Sequence, residues 1–85
     1  MMPITQLRGM LEQAFQGDTI NLDSPMGDDN HFQCVIVSAR FQDKTMVERH
    51  QMVYQALGDA MQEAVHAFAL KTYTPEQWEN LPGSG

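Results

Sequence analysis

Three histidines and one cysteine are the good soft or borderline metal ligands in this sequence: His31, Cys34, His50 and His66. No His-x-x-x-His or Cys-x-x-Cys pair occurs, so no helix turn or knuckle presents two ligands together. His31 and Cys34 lie close in sequence, but one ends a loop and the other sits in a strand. A complete metal site built by this chain alone is therefore not expected; half a site, completed by a partner, stays open. The single cysteine excludes an internal disulfide and any cluster held by four cysteines of one chain. Catalytic residues are not indicated. There is no nucleophile elbow, no phosphate-binding glycine loop and no paired-carboxylate motif, so the carboxylates read as solvated surface.

Each candidate ligand also has a structural reading. His31 follows Asp28-Asp29-Asn30 and reads as a solvated loop residue or a loop ligand. Cys34 alternates with Phe32 and Ile36, the pattern of a small buried hydrophobe, and no basic neighbour is evident to activate it. His50 falls on the apolar stripe of a helix and reads as a core or boundary residue satisfied by a hydrogen bond. Arg49 beside it faces elsewhere, toward a partner or a carboxylate. His66 begins a strand, where a neutral imidazole is either structural or a ligand.

The elements that position these groups follow from periodicity. Ile4, Leu7, Leu11, Ala14 and Phe15 mark one face of a helix over 4–16, and Gly17 suits its end. Thr19-Ile-Asn-Leu-Asp23 alternates as a short half-buried strand. Residues 24–30, rich in Pro, Gly, Asp and Asn, form a loop. Phe32 to Ser38 is the clearest strand and is apolar on both parities, so cover on both faces is expected. These two strands suggest an antiparallel hairpin with a long connection. Residues 39–44 read as a mostly polar turn. Val47, His50, Tyr54, Leu57 and Met61 predict a long helix over 45–63, opened by the capping box Thr45-x-x-Glu48 and weakened at Gly58. Residues 65–72 predict a strand, and Thr74-Pro75-Glu76-Gln77 a helix start that folds Trp78 back onto the core. The natural packing is a three-stranded sheet with helices on one side. The expectation is one domain over 1–80 and a frayed tail over 81–85.

Composition narrows the function. The chain has 85 residues, 5 Lys plus Arg and 11 Asp plus Glu, for a net charge of −6. That balance opposes non-specific binding to nucleic acid or an anionic membrane. The longest apolar runs, Cys34–Val37 and Ala67–Leu70, are far below the ~20 residues of a membrane span, and the start lacks the features of a signal peptide. A soluble, reduced, cytoplasmic protein is expected.

The order of motifs from residue 27 onward resembles the BolA family. The matching segments are Gly27-Asp28-Asp29-Asn30-His31-Phe32, Val35-Ile36-Val37-Ser38, Phe41, Val47 to Tyr54, and Val65-His66-Ala67-Phe68-Ala69-Leu70-Lys71 through Trp78. The resemblance implies an α/β (α+β) fold similar to class II KH domains, in the order α-β-β-α-β-α, with a three-stranded mixed sheet. It implies a non-enzymatic accessory role in iron–sulfur trafficking or iron regulation. The partner would be a monothiol glutaredoxin, sharing a 2Fe–2S cluster held also by the glutaredoxin cysteine and glutathione. On that resemblance His66 is a cluster ligand, and His31 stands where the family's variable second ligand lies. Cys34 falls where the family places an apolar strand residue. Imidazole in place of thiolate removes negative charge and raises the potential, as in Rieske centres. Arg49 and Lys71, within the matching segments, are the candidate partner contacts. Some family members are described as transcription regulators, so a DNA-binding regulator is the alternative. Against it, the Gly-x-x-Gly loop of a working KH domain is absent. A third possibility is a module that docks on glutaredoxin without metal.

Overall fold

A computed structural model describes residues 3–25, 27, 31–59 and 68–82. Along the chain come α1 (Ile4–Ala14), β1 (Thr19–Asp23), β2 (Phe32–Val37), a 3-10 turn (Ala39–Phe41), α2 (Met46–Leu57), β3 (Phe68–Tyr73) and α3 (Pro75–Glu79). The fold is mixed α+β, in the element order the periodicity predicts. The sheet runs β1-β2-β3. β1 pairs antiparallel with β2, Leu22 opposite Cys34, while β2 pairs parallel with β3, Phe32 opposite Phe68. A parallel pair requires a crossover, and α2 lies on it. No helix among the described residues is long and apolar enough to cross a membrane.

The core lies on one face of this sheet. Leu7, Leu11 and Phe15 from α1 and its end meet Leu22, Phe32, Cys34 and Ile36 from the strands and Val53 and Leu57 from α2. The inward strand positions alternate, as the pleat requires. β2 is central, but its other parity is covered only toward its end: Gln33 is exposed, Val35 half-buried and Val37 buried, so the expected cover on both faces is partial. α1 stops at Ala14, two residues earlier than expected. Phe15 leaves helical geometry while its N–H still reaches the Leu11 carbonyl, and Gly17 takes a φ of +81°.

The segment 39–44, expected to be a polar turn, encloses Phe41, which is fully buried. The turn is pinned at Ser38, itself buried. Its hydroxyl donates to Asp18 Oδ2 at 2.7 Å and accepts the Arg40 N–H at 3.0 Å, and the Arg40 guanidinium pairs with the same carboxylate oxygen. These bonds tie the start of β1 to the end of β2 across 20 residues of sequence.

α2 opens on the predicted capping box. Thr45 Oγ1 accepts the Glu48 N–H at 3.1 Å, and the Thr45 N–H donates to Glu48 Oε1 at 2.8 Å. The backbone bond from Thr45 holds the Glu48 carboxyl below the usual carboxylate range. Replacing Thr45 with Ala should lower the unfolding free energy by about 1 kcal/mol, read by urea denaturation. A change below about 0.3 kcal/mol would mean the cap contributes nothing measurable.

Two features of α2 depart from expectation. The helix ends at Leu57 rather than 63, because Gly58 takes a φ of +54° with ψ −130°; residues 60–63 lie outside the described ones. Its buried face is Arg49, Val53 and Leu57; of the predicted stripe Leu57 is buried and His50 half-buried, Val47 and Tyr54 are exposed, and Met61 lies outside the described residues. Val47 is 66% exposed and Tyr54 37%. At 100° per residue the true face is rotated by roughly a quarter turn from the apolar one.

Candidate functional site

β2 and β3 run parallel and begin side by side, Phe32 against Phe68. Both strands therefore begin at the same end of the sheet. His31 is the residue before β2 and is exposed there, while the next side chain, Phe32, is 2% exposed and anchors the strand in the core. A surface imidazole beside a rigid strand start is a fit donor for a partner-completed metal site, needing no buried charge to be neutralised. His66 lies outside the described residues, two positions before β3. The first turns of the strand, from Phe68, are what the structure gives on that side.

Cys34 is unsuited to ligation. Its side chain points inward between Phe32 and Ile36 and is 1% exposed. Burial pushes the thiol up to about 12, against a weaker pull from the Arg8 charge. The thiolate is the form that binds metal, so at neutral pH this sulfur is both sealed and protonated. Among the described residues no three His, Cys, Asp or Glu side chains converge as a metal-holding group.

His50 does not have the hydrogen bond expected of it. The residue is half-buried, its Nε2 is enclosed with no hydrogen-bond partner among the described residues, and its ring stands edge-on to Tyr54 at 6.0 Å. The expectation that Arg49 faces away from the core is likewise corrected. Arg49 is 8% exposed. Its Nε donates to the Lys44 carbonyl at 3.1 Å and its Nη1 to Gln77 Oε1 at 2.9 Å, and its guanidinium stands 5.8 Å from the Phe41 ring centroid. Gln77 Oε1 also accepts the Thr74 N–H within the capping box of α3. One oxygen thus joins the cap of α3 to α2, a link that spacing along the chain gave no sign of. Lys71 is exposed on β3, opposite Val35 on the sheet face turned away from the core.

Beyond β3, Trp78 is half-buried with its ring 5.5 Å from Tyr73. It packs on the outward parity of the strand rather than into the main core. Leu81, expected in a frayed tail, is half-buried, and its N–H reaches the Trp78 carbonyl at 3.3 Å.

The chain was compared with known proteins. The family model described as BolA-like protein matches residues 11–77. The DNA-binding transcriptional regulator BolA of Haemophilus influenzae is 46% identical over 56 residues, 66% of this chain and 54% of that protein. BolA-like protein 1 of Mus musculus is 34% identical over 83 residues, 89% of this chain and 61% of that protein. The chain therefore spans little more than half the length of these curated relatives. Among solved structures, a bolA protein homologue from Coxiella burnetii superposes with a TM-score of 0.74 at 33% identity, covering 94% of this chain and all of that one. Matched across its strands, α2 and the start of α3, the chain belongs to the BolA-like family.

Proposed function

We propose that this protein is a non-enzymatic partner of a monothiol glutaredoxin in iron–sulfur trafficking or iron regulation, and that His66 and His31 supply its share of a bridging 2Fe–2S cluster. The observation that supports this most is the parallel pairing of β2 and β3, which starts both strands at one end of the sheet with His31 exposed there. The buried, protonated Cys34 offers no thiolate to such a cluster. The cluster would supply electron-accepting iron. The chain's own part is to hold neutral imidazoles at a fixed strand end and leave the remaining ligand positions to the partner.

Anaerobic reconstitution of a monothiol glutaredoxin with glutathione tests this, with and without the protein, read by visible absorption and circular dichroism. The wild type should change the cluster spectrum. His66→Ala should abolish the change, and His31→Ala should weaken cluster retention by at least ~10-fold, since even indirect supports of a metal ligand cost ~10–100-fold. Cys34→Ala should leave the spectrum unchanged. If the wild type leaves the spectrum as it is with the glutaredoxin alone, the proposal fails.

A second reading, a DNA-binding regulator, is favoured by the name of the Haemophilus relative. The placement of the cations weighs against it. Arg49 is buried, Arg40 is paired with Asp18, and Arg8 donates to the Leu22 carbonyl at 2.9 Å. Lys44 and Lys71 remain, on a chain of net charge −6. Titration of duplex DNA at two salt concentrations separates the readings: tight binding with a steep salt slope would support the regulator.

A further inference from the structure

We propose that the cavity between α2, the end of β3 and α3 binds a monocarboxylate carried on a compact apolar body. The cavity holds about 430 Å³ and is walled by Met46, Tyr73 and Leu81, within the size range of small-molecule sites. Two deeply buried polar groups line it with unused hydrogen-bonding capacity. The first is Arg49, 8% exposed. Its Nε and Nη1 bond to neutral acceptors, and among the described residues Nη2 has no hydrogen-bond partner and no carboxylate forms an ion pair with the guanidinium. Buried charges are ordinarily paired, and this guanidinium, bonded only to neutral acceptors, faces the cavity with a donor to offer an anion. The second is Thr72, 3% exposed, whose hydroxyl donates, among the described residues, only to Met46 Sδ, at 3.5 Å. Thioether sulfur is a weak acceptor, and Met46 is 57% exposed, so its flexible side chain can yield the hydroxyl to a better one.

A carboxylate lying between Arg49 Nη2 and Thr72 Oγ1 would satisfy both donors with charge-assisted bonds. The first turn of α2, where Met46 stands, adds the positive end of its dipole. Glu76 lines the same cavity and is exposed, so it repels a group with two negative charges more strongly than one with a single charge. The apolar walls take the body of the ligand, and the site suits either a free organic acid or the last residue of another chain.

The test is an amide NMR titration of the full chain at constant ionic strength with phenylacetate and, in parallel, neutral phenylacetamide. Saturable shifts centred on Met46, Thr72, Tyr73 and Gln77 are expected, with a dissociation constant of about 1 mM. The amide should bind at least ~10-fold more weakly, because it cannot pair the arginine. Thr72→Val and Met46→Glu should each weaken phenylacetate by about 10-fold, with shifts far from the cavity unchanged to show that the fold persists. A further arm compares N-acetyl-Ala-Phe as the free acid: tighter binding than phenylacetate assigns the site to a chain terminus, and equal binding to a free acid. Equal affinity for acid and amide, scattered or unsaturated shifts up to about 20 mM, or variants that bind like the wild type would overturn the proposal.

Discussion

Phe41→Ala is expected to lower the unfolding free energy by about 3–5 kcal/mol. Phe41 is fully buried, stands 5.7 Å from the Phe15 ring at 54° and supports the Arg49 guanidinium on its face. Its removal takes away burial, an aromatic pair worth about 0.5–1.5 kcal/mol and the surface against which a buried cation is packed. The 3-10 turn gives little scope for collapse, because Ser38 and its bonds to Asp18 and Arg40 fix the backbone on one side. A domain of this size has about 5–15 kcal/mol of stability in all, so the variant should be largely unfolded at modest urea concentrations. Urea melts followed by circular dichroism read the effect directly. A loss near 1 kcal/mol would show that the cavity closes and that the turn is not the keystone inferred here.

The second large effect is a fall in stability at alkaline pH traceable to Cys34. Burial raises its thiol to about 12 in the folded chain, whereas an unfolded cysteine titrates near 8.5. The folded state thus holds the proton more tightly. The resulting stability is fully present below the unfolded pKa and is lost as pH rises between the two values, by about 1.4 kcal/mol per unit. Tyr and Lys also titrate in this range, so the contrast must be with Cys34→Ala, which carries the same other groups. The difference in unfolding free energy between wild type and variant should drop by about 2–3 kcal/mol from pH 9 to 11. A difference independent of pH would mean that Cys34 is reached by water in the folded state, and the argument that it cannot ligate metal at neutral pH would lose its basis.

Local features of the sequence carried over closely. β1 spans the alternating residues 19–23, and both capping boxes form with the predicted partners. These signals depend on neighbours within four residues, so no distant contact is needed to read them. The phase of α2 was not legible in the same way. Val47, His50 and Tyr54 make an apolar period, yet the helix buries Arg49 and Val53. An arginine counts as polar in any periodicity, and it is hidden here only because Gln77, 28 residues later, receives its Nη1 and Phe41 covers its face. The candidate ligands divide similarly. Alternation alone marks Cys34 as a buried hydrophobe, and it is one. The interest of His31 and His66 came from resemblance, because two residues 35 apart give no spacing signal.

By itself, then, the sequence determined the kinds and order of the elements, the helix starts, and the inward face of β2, since each rests on backbone hydrogen bonding or side-chain alternation within a few residues. Tertiary structure alone decided three things. It set β3 parallel to β2, so that both strands begin at the end where His31 stands. It turned α2 to bury a cation. It joined the first helical turns of α2 and α3 around a cavity lined by Arg49 and Thr72. In each case the deciding contacts join residues far apart in the chain, and their energy exists only once the whole core has closed.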